Sequence, residues 1–125
     1  DALPLRLQAY ERLSLFLERI NPSKLLIRVA PISNDKKDYA NYVIAQIEQE
    51  FEHNLTQQIY ISNACWNYIS TAKNATIQMI RKATTLENVK DANDLREVIL
   101  KDLFDKDVPS NAALAYIKNE VSELW

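Results

Sequence analysis

Apolar residues return every three or four positions along almost the whole chain, the pattern of helices with one buried face. Ala9, Leu13, Phe16, Leu17 and Ile20 make the first stripe, with Glu11, Arg12, Glu18 and Arg19 on the other side. Pro4 suits the first turn of that helix, where a missing N–H costs nothing. Leu7 and Leu15 fall outside the stripe, so each packs on a second neighbour, stays exposed or meets a partner. Asn21-Pro22 reads as a stop and a restart, Asn21 capping and Pro22 taking the first helical position. Leu25 to Val29 fits a short helix or a strand, and Pro31 ends it either way.

Ser33, Asn34 and Asp35 offer caps for the first long helix, expected from about Asp35 to Tyr60. Its stripe is Val43, Ile44, Ile47, Phe51 and Leu55, and its length would be roughly 36 Å. Ser62 is the expected cap of a second long helix, about Asn63 to Leu86. That helix is apolar on two sides: Trp66, Ile69, Ile77 and Ile80 on one, Tyr68, Ala75, Met79 and Leu86 on the other. So wide an apolar arc implies a helix central to the bundle or shared with a partner. Asp91 caps a further helix carrying Leu95, Val98, Ile99 and Leu103. Asp107, Pro109 and Ser110 mark the start of the last, with Leu114, Ile117, Val121 and Leu124. The expected fold is all-α: one helical bundle over residues 1–125, of five or six helices, with the two long ones antiparallel. At least about two thirds of the residues should be helical, against a base rate near one third.

Composition sharpens this. There is no glycine, where ordinary usage would give about nine. Phosphate-cradling loops, dinucleotide-binding turns, nucleophile elbows and tight hairpins all draw on glycine's freedom and are disfavoured. The net charge is −2 with no run of one sign, so no basic stripe for nucleic acid is present. One cysteine forms no internal disulfide. No stretch reaches the roughly 18 continuous apolar residues of a membrane span. The chain opens at Asp1 rather than Met, and an upstream segment is expected.

Chemistry must be sought around the only histidine, His53, and the only cysteine, Cys65. On a helix running to Tyr60, His53 shares a polar face with Gln49, Gln57 and Tyr60, a line of donors and acceptors suited to a polar ligand or peptide. Asn54 and Gln58 project toward the apolar side and are expected to hold the helix corner, Asn54 by reaching the carbonyls of the Ile20-Asn21-Pro22 break. Glu50-x-x-His53 has the spacing of di-iron bundles, but one histidine cannot supply two such pairs, so no metal and no cofactor are expected. A Cys65–His53 nucleophilic pair requires the corner to fold them together; as a small residue flanking an apolar stripe, Cys65 reads as buried and inert. Asn54-Leu55-Thr56 and Asn74-Ala75-Thr76 match the glycosylation sequon but lie in expected helices.

The opening DALPLRLQAYERLSLFLERINP and the segment FEHNLTQQIYISNACW resemble a family of uncharacterised bacterial proteins with an LPLRLQAYERL-LFLERI-P opening and an EHN-xx-QQ-Y corner. The resemblance covers these two stretches; the rest agrees only in pattern. It implies a short N-terminal membrane-spanning segment, absent from this chain, followed by a soluble helical domain. It implies no activity. Arg6 and Arg12 give a slight push toward the cytoplasmic side of a bacterial inner membrane. The first functional expectation is therefore a non-enzymatic interaction module held at a bacterial membrane, with a protein partner, a second copy of the chain included. The second is a domain binding a small polar ligand at His53. A hydrolase or metal enzyme comes last.

Overall fold

The computed structural model describes residues 2–103 and 107–124. Pro4 stands in the first turn of α1 (Leu3–Arg19), whose buried residues are Ala9, Tyr10, Leu13, Phe16 and Leu17. Leu15 lies 60% exposed, off the stripe, and Leu7 is half-buried. The Asn21 side chain accepts from the Ser23 N–H and Pro22 opens α2 (Pro22–Arg28), so the Leu25–Val29 stretch is helix closed by Val29, with no strand. Asp35 accepts from the Asp38 N–H and starts α3 (Lys36–His53). A 3-10 helix, Leu55–Tyr60, follows. Ser62 then accepts from the Cys65 N–H at 3.0 Å and starts α4 (Asn63–Ala83). Asp91 caps α5 (Ala92–Asp102), and Ser110 precedes α6 (Asn111–Ser122). Of the described residues, 77% are helical and none is strand.

α4 is the centre of the bundle, touching α1, α3, α5 and α6. The α3–α4 pair is antiparallel: Phe51 stacks on Trp66 near the corner, while Glu48, a turn earlier, pairs with Lys73, two turns later. Lys73 also sits over the Phe51 ring at 4.5 Å, where the ring's negative face attracts its charge. Phe16 of α1 also meets Phe51, tilted against it at 5.8 Å. Buried apolar residues from all six α-helices form one contiguous core cluster.

Two junctions fix the remaining helices. At the first, the Tyr39 hydroxyl donates to the Val29 carbonyl at 2.6 Å, and Arg96 of α5 donates to the Leu26 carbonyl at 2.9 Å. The carbonyls that α2 leaves unpaired at its end are thus met by α3 and α5. At the second, Glu120 of α6 accepts from Tyr10 of α1 at 2.6 Å and from the Ser62 hydroxyl at the head of α4. No described residue has a positive φ, so no turn in these regions needs glycine.

Both long helices stop earlier than their stripes suggest. α3 ends at His53, not Tyr60, because Asn54 turns its amide back on the Glu50 carbonyl at 2.8 Å while its own N–H reaches Phe51 and Glu52. Such local side-chain bonds compete with continued helix. α4 ends at Ala83, not Leu86: the Thr84 and Thr85 hydroxyls donate to the Arg81 and Lys82 carbonyls, at 2.6 and 2.7 Å.

Candidate functional site

The early end of α3 dissolves the polar line expected around His53. His53 and Gln49, one turn apart, are both exposed on α3. Gln57 and Tyr60 belong to the 3-10 helix and are half-buried there, with the Tyr60 carbonyl accepting from Arg6 at 3.3 Å. His53 instead joins α1 across a shallow cleft of about 320 Å³ lined also by Arg12, Leu15, Arg19, Glu50 and Asn54. Glu50 is already occupied: Arg19 forks onto both its oxygens at 2.8 and 3.0 Å, and Arg28 stands 3.4 Å away. That pairing takes away the carboxylate a Glu50–His53 metal pair would need. Among the described residues no group of three or more His, Cys, Asp or Glu is placed to hold a metal.

Asn54 acts as the end piece of its own helix, bonding to Glu50 rather than to the Ile20–Pro22 break. Gln58 is exposed and donates to Leu55 at 2.9 Å, three residues back. Asn54→Ala should cost about 0.5–1.5 kcal/mol, the net worth of one such bond, while His53→Ala stays within about ±0.5. Urea melts of the two variants check the order.

Cys65 is fully buried, on the side of α4 that faces Glu120, away from the His53 cleft. Burial, reinforced by the neighbouring carboxylate, pushes its thiol up to about 12. A thiol so far from ionising is a poor nucleophile. Iodoacetamide at pH 8 should leave Cys65 unmodified in the folded protein and label it fully in denaturant; fast labelling of the native state would contradict this placement.

A larger concavity than the His53 cleft lies elsewhere. A groove of about 940 Å³ runs between the C-terminal half of α4 and α5. Ala75, Met79, Ala83, Leu86, Val98 and Leu103 supply its apolar lining, and Arg81, Lys82 and Lys101 stand around it with Asp102 and Asp107. None of these three cations makes an ion pair among the described residues. The second apolar side of α4 enters this groove. Its upper member, Tyr68, is 44% exposed and stacks on Tyr116 of α6 at 4.4 Å. The groove's signal was therefore present in the sequence as the second stripe. The Glu120 cluster had no such signal, since its partners lie 58 and 110 residues away in the chain.

No described helix is long and apolar enough to cross a membrane. A family model described as "Family of unknown function (DUF7935)" matches residues 1–124. No curated protein and no solved structure gives a match.

Proposed function

We propose, for a chain that belongs to DUF7935, a family of unknown function, that the domain is a non-enzymatic interaction module receiving an apolar helix of a protein partner in the α4–α5 groove. The observation that carries this is the second apolar stripe of α4. Ala75 and Leu86 are exposed and Met79 is only partly buried against the core; with Val98 and Leu103 they line a groove of about 940 Å³. Helix-in-groove recognition uses such a surface, and methionine adapts its shape to a partner. Catalysis finds less support, since the one thiol is buried with a raised pKa and Glu50 is held by two arginines.

The test is site-specific photo-crosslinking in the native host, with the reactive residue at position 79 or, as a control, at exposed Tyr42 of α3. A discrete protein adduct is expected from position 79 and not from position 42. The purified partner should then bind saturably, and Met79→Glu should weaken it at least tenfold. Adducts independent of position would overturn the reading.

A second reading, binding of a small polar ligand, rests on the cleft that brings His53 together with Arg12 and Asn54. Saturable amide shifts confined to that cleft, on titration with small carboxylates, would favour it. Membrane attachment through a segment outside residues 1–125 belongs to the same proposal as the interaction role. Full-length protein should then sediment with membranes and resist a high-salt wash.

A further inference from the structure

We infer that the occupant of the α4–α5 groove is an acidic amphipathic helix of about three turns (~16 Å), lying along α4. The inference rests on the groove being a docking site. Shape supplies the first argument. From Ala75 to Ala83 the α4 side of the groove measures about 12 Å, and Thr85 and Leu86 carry the lining past the helix end. Leu86 and Val98 flank the groove, and Tyr68, two turns before Ala75 on α4, stacks on Tyr116 beyond it. A long, open, apolar strip matches residues spaced i, i+3/i+4 and i+7 on a helix.

Charge supplies the second. Arg81, Lys82 and Lys101 border the groove against Asp102 and Asp107, an excess of cation beside an apolar floor. None of the three cations has an ion-pair partner within the described fold, so each is available to an incoming carboxylate. Glutamates or aspartates flanking the apolar line of the occupant would meet them, steering encounter and fixing its direction. The same excess argues against a second copy of this chain as occupant: a two-fold interface places a patch against itself, cationic border against cationic border.

The experiment uses three synthetic peptides and the whole domain. The first is an amphipathic helix with leucines at i, i+4, i+7 and i+11 and glutamates on its flanks. The second has lysines in place of those glutamates, and the third keeps the acidic composition with the leucines scrambled. Fluorescence anisotropy should show saturable binding of the first only. That binding should weaken at least tenfold on Met79→Glu and also on Arg81→Glu combined with Lys101→Glu, and the charge-reversed domain should now prefer the lysine peptide. Circular dichroism of each variant confirms an unchanged fold. Equal binding of the first two peptides overturns the acidic assignment while leaving the groove as a docking site. Binding of the scrambled peptide as well makes the attraction mere charge and overturns the helix. Binding of none of the three overturns the inference, and the position-79 crosslink then judges the groove independently.

Discussion

Tyr39→Ala should destabilise the domain by roughly 3–5 kcal/mol, the range for truncating a fully buried aromatic ring. Tyr39 has no exposed surface, and its loss removes two things at once. The ring fills the junction of α2, α3 and α5, where surrounding helices cannot collapse fully onto the space left. Its hydroxyl satisfies the Val29 carbonyl at 2.6 Å and lies 3.4 Å from that of Leu26. Burial pushes the hydroxyl pKa up, with Arg96 nearby pulling the other way, so the group stays a neutral donor. Tyr39→Phe separates the two contributions. It keeps the ring and leaves the Val29 carbonyl without its donor, at a cost of roughly 1–3 kcal/mol. The Leu26 carbonyl keeps Arg96 in both variants. Guanidinium melts showing the phenylalanine variant as unstable as the alanine one would mean that the hydroxyl, not the packing, holds the junction.

Glu120→Gln should cost roughly 1–3 kcal/mol near neutral pH, and that cost should shrink in acid. Burial alone would raise the Glu120 carboxyl, but the bonds from Ser62 and Tyr10 outweigh it and hold the group below its ordinary value. The folded state therefore favours the charged form. A depressed carboxylate contributes stability that is fully present above the unfolded pKa and is lost as the pH falls through the folded one. Melts of the wild type and the glutamine variant should thus diverge at pH 7 and approach each other below the ordinary glutamate range. A gap that stayed constant between pH 7 and pH 3 would show that shape, not charge, makes the contact. Tyr10, pushed up to about 12 by burial and then by its bond to Glu120, keeps its proton throughout that interval.

These two residues mark what a one-dimensional pattern conveys and what it does not. The helical stripes located five of the six α-helices because burial of one face imposes a period on neighbouring residues; α2, too short to show a period, stayed open between helix and strand. Asn21, Asp35, Ser62 and Asp91 announced helix starts because a cap acts within three residues. The ends of α3 and α4 were misjudged because Leu55 and Leu86 continue the apolar period, yet lie 41% and 39% exposed beyond the stops. Asn54, Thr84 and Thr85 carried the better signal, the capacity to bond backward to carbonyls. The polar line through His53, Gln57 and Tyr60 failed with the helix it assumed. The Glu120 cluster and the forked Arg19–Glu50 pair lay out of reach, since no local rule links residues so far apart in the chain. The α4–α5 groove was half legible: the second stripe on α4 was visible, but not which helix would border it.

The absence of any positive φ among the described residues bears on how this sequence can drift. A turn that requires the left-handed region ties its position to glycine or asparagine. Here the described turns are built from backbone states open to every L-residue, so conformation imposes no such residue at them. What constrains the corners is a side-chain oxygen at Asn21, Asp35 and Asp91, where serine, threonine, aspartate and asparagine can largely stand in for one another, whereas Ser62 must also donate to Glu120 and is held to a hydroxyl. Those three corners can therefore exchange residues within that polar set while the helices keep their lengths. At these three helix starts the oxygen matters more than the residue that carries it.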